Sequence, residues 1–422
     1  MRRHLSEASW AIVAVFTVGL VVRLLFATVL VPRLERGANR GPDADHYAEL
    51  AKSILDRGEL GFDPPGASPT SLRGPGFPAW LAAGMLIGGR SPGWIAFWAS
   101  VPGLAAALAI AGMLGRSHGR TAGLLGGLLC AAHPLACFVS ARVLPDEFYG
   151  GALFLGLAAW SCSSGAERSA RGLVWASAAG VLLSVASLTR VTAVFVLIVL
   201  LGAAFCLQPR RVRSGAVIAV VATALLTPWA VRTSLLVGRP AYVESLAGYN
   251  FWLGESADRY GFGLDFGSSR ARAHELMALE AGTETTRVPM FWYASLPPRE
   301  ARAFDEKLVT AGLRCIGGKP WPYVRRCFTG LLWFWIRAET AKRTVQYSLV
   351  ALPLLALALF GASRRETVPR PGAIPKVLIA AVVLIHVVIY AAICPMARYS
   401  VEAYPLLCYL AGSALGSGPR LR

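Results

Sequence analysis

The chain of 422 residues is 55% hydrophobic, carries charge at only 16% of its positions and has a mean hydropathy of +0.52, whereas a soluble domain is charged at about a quarter of its residues. That composition excludes a water-soluble globule and implies a protein that crosses a membrane many times. The net charge of +18 does not mark a nucleic-acid protein, because much of the basic excess falls in short loops between apolar runs, where it anchors topology against anionic lipid.

The first apolar run, Trp10 to Val31, has the length of about 20 residues needed to cross the hydrocarbon core and carries one charge, Arg23. A signal peptide is the competing reading, given Arg2, Arg3 and His4, but the run is too long for a signal core and no small-x-small cleavage site follows it. Further spans are read at Ser91–Gly115, Thr121–Ala141, Phe148–Ala166, Gly172–Thr189, Val191–Gln208, Gly215–Val231, Val345–Ser363, Val377–Met396 and Ala403–Gly418. Threading them alternately gathers Arg116, Arg120, Arg168, Arg171, Arg210, Arg211, Arg213, Arg364, Arg365, Arg370 and Lys376 on the side of the N-terminal arginines, which the positive-inside rule makes cytoplasmic. The loops Pro32 to Arg90 and Arg232 to Thr344 then share the outer face. The expected fold is all-α, a polytopic membrane protein of about ten transmembrane helices with extracytoplasmic juxtamembrane helices. It divides into a transmembrane module over 1–231 with its first outer loop at 32–90, an outer cap over 232–344 and C-terminal helices over 345–422.

In the first outer loop, Gly41-Pro42-Asp43-Ala44-Asp45-His46-Tyr47 places two acids just beyond the first span. Tyr47, Leu50, Ala51, Ile54 and Leu55 then mark one face of a helix ended by Gly58. Asp43 is read either as the N-cap of that helix, worth about 1 kcal/mol, or as a catalytic base. Arg73-Gly-Pro-Gly-Phe-Pro78 follows, and the apolar run Phe77 to Gly89 is too short to span and is expected at the interface. Arg73 is thereby kept close to lipid headgroups, where a guanidinium is a natural ligand for phosphate.

Short turns on the same face carry Asp146 and Glu147, Thr189-Arg190, and Arg398-Tyr399. Such turns usually avoid arginine, so Arg190 and Arg398 are read either as phosphate ligands or as interfacial snorkelling residues. Arg23, inside a span, must face protein or water. His133 and His386, each alone on an apolar helix, are read as satisfied core residues.

The large loop opens with Thr227-Pro228-Trp229, Arg232 and Gly248-Tyr249-Asn250 through Glu255, continues with an amphipathic stretch from Pro298 to Ile316, and ends in the aromatic, basic run Trp321 to Trp335. This reads as a cap over a membrane-level cavity. Cys315 and Cys327 are the cysteines of that loop. A disulfide between them is open, but on one helix they would lie about 18 Å apart. CxxC and HExxH spacings, a GxGxxG turn, a P-loop and internal repeats are all absent, so no metal site is expected, and a divalent cation stays an open possibility.

Taken together, Asp43 with Tyr47 and Ala51, Arg73-Gly-Pro-Gly-Phe-Pro78, Leu144-Pro145-Asp146, Leu188-Thr189-Arg190, Thr227-Pro228-Trp229 with Arg232, Gly248-Tyr249-Asn250 through Gly254, and Arg398-Tyr399 with Pro405 resemble the GT-C glycosyltransferases related to protein O-mannosyltransferases and the aminoarabinose transferases of lipid A. The resemblance implies a sugar donor carried on polyprenyl phosphate, an outward-facing site on a bacterial cytoplasmic membrane, and an extracytoplasmic acceptor that is a lipid, glycan or protein. It implies Asp43 as catalytic base with Asp45 in reserve, and Asp146 as a second acid whose register Glu147 leaves ambiguous. Arg73, Arg190 and Arg398 are then donor-phosphate ligands, and Tyr47, Glu147, Tyr249 and Asn250 contact substrate. Some relatives add a soluble C-terminal domain for acceptor recognition, whereas this sequence ends a few residues after its last span.

The chemistry fits the residues independently. Displacing a lipid phosphate builds negative charge on the leaving group, which fixed arginines stabilise, and the attacking hydroxyl needs a base. A single displacement inverts the anomeric carbon. The competing reading is a transporter or flippase of a lipid-linked solute, but such proteins place ionisable residues at mid-membrane and show repeat symmetry.

Overall fold

In the computed structural model, the described residues are 2–36, 45–62, 69–163, 169–207, 212–242, 246–259, 275–277, 296–364 and 373–416. The first rod is α1 (Arg2–Leu25), prolonged by a π-helical turn at Phe26–Leu30 and by α2 (Val31–Arg36). Among the described residues, seven helical stretches are long and apolar enough to cross a bilayer: Trp10–Leu34, Pro92–His118, Arg120–Ala141, Ala170–Thr189, Val212–Val237, Ala341–Ser363 and Lys376–Ile393. They carry bare hydrocarbon outward, with Val377 83% and Leu235 74% exposed, as a lipid-facing surface requires.

The three remaining expected spans are also helices, α8 (Asp146–Ser163) and α10 (Thr192–Gly202) with its π-helical extension Ala203–Leu207 near the minimum length and α18 (Tyr404–Leu415) short of it. Two of them form the interior. In α8, 16 of 18 residues are buried, and in α18, 11 of 12, so protein rather than lipid surrounds their polar groups. Between these lie α5 (Pro92–His118), α6 (Arg120–Ala131), α7 (Pro134–Ala141), α9 (Ala170–Thr189), α11 (Val212–Val237), α15 (Ala341–Ser363) and α16 (Lys376–Ile393). One core runs from Val15 through Leu153 and Val382 to Ala411. The single span expected over Thr121–Ala141 breaks at His133-Pro134. Proline cannot continue a helix but starts one readily, and the His133 ring lies against Tyr404 with centroids 3.9 Å apart.

Short helices gather at the end of the bundle that carries the long loops. The amphipathic α3 (Tyr47–Arg57) buries Tyr47, Ala48, Leu50, Ala51 and Ser53, and Gly58 ends it at φ 70°. Its N-cap is His46, itself left-handed at φ 60°. The helix therefore begins three residues later than an Asp43 N-cap would require, and that reading falls. Arg232 donates to the carbonyls of Leu60 and Thr70, which ties the loop leading to Arg73 down onto the end of α11.

The apolar α4 (Gly76–Gly88) does not span; it lies on α5 through a tryptophan zipper. Trp80 Nε1 donates to the Trp98 carbonyl at 3.0 Å, Trp98 Nε1 returns the bond to Trp80 at 2.8 Å, and Trp94 Nε1 donates to Gly84 at 2.7 Å. The two indoles of the reciprocal pair stack with centroids 4.7 Å apart. A cap follows from α12 (Ala247–Arg259), α13 (Pro298–Gly318) and α14 (Pro320–Ile336). Asp305 of α13 accepts from the backbone N–H groups of Gly248 and Tyr249 at 3.0 Å each, a carboxylate at the positive end of α12. Cys315 and Cys327 sit on α13 and α14 as free thiols. The short α17 (Ala397–Ser400) and a 3₁₀ turn, Val401–Ala403, lead into α18.

A β-carbon added at Gly84 would run into the Trp98 indole, whereas one at Gly115 of the same bundle meets open space. Gly84→Ala should therefore lower stability by about 1–3 kcal/mol through overpacking, while Gly115→Ala leaves it unchanged or slightly raised. Thermal unfolding of the two variants in detergent checks the difference, and equal melting points would discount the zipper.

Candidate active site

The turn from α7 into α8 starts the site. Val143 takes φ 53°, an uncommon conformation for a β-branched residue, and is held there by burial and by its N–H bond to the Ser140 carbonyl at 2.8 Å. His46 is the other non-glycine residue with positive φ among those described. Both outliers adjoin acids of the site, His46 directly after Asp45 and Val143 three residues before Asp146. Backbone strain of this kind clusters where function over-determines geometry.

Asp146 is fully buried at the first position of α8 and holds two guanidinium groups. Arg190 donates to its Oδ1 at 2.7 Å and Arg398 donates through Nε to its Oδ2 at 3.0 Å. Arg190 can do so because it stands at the break between α9 and α10, with extended dihedrals that swing its side chain out of the helix path. Its Nε lies 2.9 Å from Glu402 Oε1, and its guanidinium carbon sits 5.2 Å from the centre of the Tyr399 ring. Arg398 reaches past Asp146 to donate to Asp45 at 2.8 Å. Arg73 closes the circle, 3.9 Å from the same Asp45 oxygen and 5.0 Å from the centre of the Tyr47 ring. Tyr47 in turn packs edge-on against Phe77, centroids 5.2 Å apart.

Behind Arg190 lies Glu402, 0% exposed, accepting the Tyr390 hydroxyl at 2.8 and 3.1 Å. A hydrogen-bonded chain continues inward: Thr192 donates to the Tyr149 hydroxyl at 3.0 Å, which lies 2.9 Å from His386 Nε2, and His386 Nδ1 donates to the Val382 carbonyl at 2.8 Å. His386 is thus a core residue with both ring nitrogens engaged. Tyr390 and Tyr399 stack at 4.4 Å and wall the cluster.

The two acids at its edges are tuned in opposite directions. Burial alone would raise the Asp45 carboxyl, but Arg398, Arg73 and Arg190 outweigh it and hold the group well below the usual carboxylate range. For Glu402 burial prevails over Arg190 and pushes the carboxyl up to about 8. At neutral pH Glu402 is then mostly protonated. Three arginines face two carboxylates, which leaves the described cluster one positive charge in excess and suited to an anion.

Six of the sequence-selected residues meet here: Asp45, Asp146, Arg73, Arg190, Arg398 and Tyr47. Asp43 lies outside the described residues. Glu147 points away, into the bundle, where it pairs with Arg23. Tyr249 and Asn250 stand on α12, where Tyr249 packs against Leu253 and Cys394, beside the segment that leads into Arg398. Sequence reading missed Glu402 and Tyr390. Glu402 had a signal, as an acid at the head of an apolar run one helical turn after Arg398. Among the described residues no group of three His, Cys, Asp or Glu side chains is arranged to hold a metal.

Residues 72–231 match the family described as dolichyl-phosphate-mannose-protein mannosyltransferase. Among solved structures, the archaeal oligosaccharyltransferase AglB from Archaeoglobus fulgidus, in complex with an inhibitory peptide and a dolichol-phosphate, aligns over 95% of this chain and 50% of its own at 13% identity, with a TM-score of 0.51. An oligosaccharyltransferase structure from the same organism, with Zn and sulfate, aligns over 94% of this chain and 48% of its own at 14% identity and a TM-score of 0.52. ArnT from Cupriavidus metallidurans bound to undecaprenyl phosphate aligns over 96% and 77% at 17% identity and a TM-score of 0.42. No curated protein matches. The chain spans about half the length of the archaeal enzyme whose fold it shares. The match to that family is thus confined to residues 72–231, and the fold of the chain is similar to that of the archaeal enzyme.

The raised pKa of Glu402 has a consequence for stability. The folded protein keeps a proton that the unfolded chain releases near 4.5, so stability from this group is present at low pH and is lost as pH rises from 4.5 towards about 8. Glu402→Gln cannot ionise and should flatten the fall of melting temperature across that window. Identical slopes in wild type and variant would show that Glu402 titrates normally.

Proposed function

We propose that the protein transfers a sugar from a polyprenyl-phosphate donor to a hydroxyl of an extracytoplasmic acceptor, with inversion. The observation that carries this reading is the convergence of Arg73, Arg190 and Arg398 on the buried Asp146 and the partly buried Asp45 at the loop-bearing rim of the bundle, with positive charge in excess. Breaking the bond between an anomeric carbon and a lipid phosphate leaves negative charge on the phosphate. Preorganised guanidinium groups stabilise that charge without reorganising, and their planar forks suit phosphate oxygens. The family matched over 72–231 is described by a dolichyl-phosphate sugar, and AglB holds a dolichol-phosphate, which supports the same donor class. A groove of about 250 Å³ between α10 and α11, lined by Leu197, Leu201, Ala222, Leu226 and Ala230, offers an apolar bed for the polyprenyl chain.

The acceptor hydroxyl needs a base whose pKa is not far below the working pH. Asp45, clamped by Arg398 and Arg73 and strongly acidified, is better fitted to hold the arginines than to take a proton. Asp43, two residues earlier in the same loop, is assigned the base, and Asp45 the reserve. On this reading the bundle sits in a bacterial cytoplasmic membrane with this rim outward, which the positive-inside pattern of the basic loops in the sequence supports.

Asp43→Asn should lower transfer by about two to four orders of magnitude while donor binding persists. Transfer at the wild-type rate in Asp43→Asn with loss in Asp45→Asn would move the base by two residues, and full activity in both would remove the mechanism and favour a transporter. Arg190→Lys, which keeps charge but not the fork, should weaken donor binding by about 1–3 kcal/mol; unchanged binding in calorimetry would count against the phosphate role. Orientation is checked separately: a cysteine at Lys307, exposed on α13, should react with an impermeant maleimide added outside intact cells, and protection until lysis would invert the topology.

A further inference from the structure

Arg23 lies inside the first membrane span and is 2% exposed, and every nitrogen of its guanidinium has a partner on a different segment. Nε donates to the Ser100 carbonyl of α5 at 3.3 Å, Nη1 to the Ala131 carbonyl at the end of α6, and Nη2 to Glu147 Oε1. Glu147 is 3% exposed and is the residue directly after Asp146. Room for it is made by Gly103 of α5, where an added β-carbon would strike the Glu147 carboxylate. A charged pair placed here is expensive, because both ions are taken out of water within the membrane, and a well-packed apolar pair would hold the four helices together as well. What an apolar pair does not provide is a directional bond to one particular residue of α8.

Successive helical residues point about 100° apart, so fixing Glu147 fixes where Asp146 aims. The turn just before it contains the left-handed Val143 and has an incentive to relax. Resting on the transfer reading above, we propose that Arg23 and Glu147 form a positioning clamp: the pair locks the first turn of α8 against α1, α5 and α6, and thereby holds Asp146 in the register that aligns Arg190 and Arg398 for the donor phosphate. Neither residue touches the phosphate ligands. The clamp acts through Asp146.

The test uses the full chain in lipid nanodiscs. Arg23→Met/Glu147→Leu replaces the ion pair by hydrocarbon of similar volume, and Arg23→Lys keeps the charge but cannot reach all three partners. Amide exchange over 143–149 reports the turn whatever the protein's activity, and turnover of polyprenyl-phosphate mannose reports the site. The clamp requires faster exchange confined to 143–149, an unchanged melting point, and kcat/KM for the donor lowered by about 10- to 100-fold, the cost of a misplacement near 1 Å. Arg23→Lys should show the same pattern in weaker form and decides the matter if the double variant does not fold. Unaltered exchange over 143–149 with wild-type kcat/KM overturns the proposal. So does exchange that rises alike in α1, α5, α6 and α8 with a lower melting point, the mark of a bundle-packing pair. If wild-type protein turns over neither this donor nor polyprenyl phosphates carrying other sugars, the transfer reading fails, and exchange over 143–149 still judges the clamp.

Discussion

The structure of the rim depends on one carboxylate. Asp146 is buried completely and is bonded by Arg190 on one oxygen and Arg398 on the other, so three segments far apart in sequence are fixed to a single group. Taking such charges out of water is costly unless they are paired with good geometry. Here the pairing is shared, and removing one partner would strand the others. That mutual dependence makes the arrangement rigid, and rigidity is what lets fixed charge favour a developing anion over water.

The second layer explains why the cluster is not already neutral. A site with as many ionised acids as arginines would have little to offer an anion. Glu402, enclosed by Tyr390 and sitting behind Arg190, is pushed by burial to hold its proton near neutral pH, while Asp45, closer to the arginines, is driven fully ionised. Two acids of the same chemistry are thus assigned different charge states by their surroundings, and the excess positive charge is left on the three arginines. Glu402 also extends this order inward, because Tyr390 and the Tyr149–His386 chain fix the helices that carry Arg190 and Arg398.

Much of the fold was legible because a bilayer imposes a simple demand on length and apolarity. The ten expected spans all became helices, and the interfacial α3 and α4 followed from periodicity and from a run too short to cross. What the pattern could not reveal was which spans are interior. Helix α8 reads as one span among others, yet its two opening acids serve opposite sides, Asp146 the rim and Glu147 the partner of Arg23 across 124 residues of sequence. Periodicity places both on one turn but gives no neighbour for either. The same blindness to long-range partners hid Glu402 and left Arg23 unexplained, and the N-cap reading of Asp43 failed because the left-handed His46 caps the helix instead. The individual site residues were visible as charges in places that membrane proteins avoid. Their joining was not.

The central claim is that this cluster seats a lipid phosphate. The most direct measurement is a cryo-electron microscopy structure of the protein in nanodiscs with a polyprenyl phosphate bound. The account expects the phosphate within hydrogen-bonding reach of Arg190 and Arg398, with Asp146 still holding both and the polyprenyl chain running into the groove between α10 and α11. A phosphate bound elsewhere, with the arginines still closed on Asp146, Asp45 and Glu402, would contradict it.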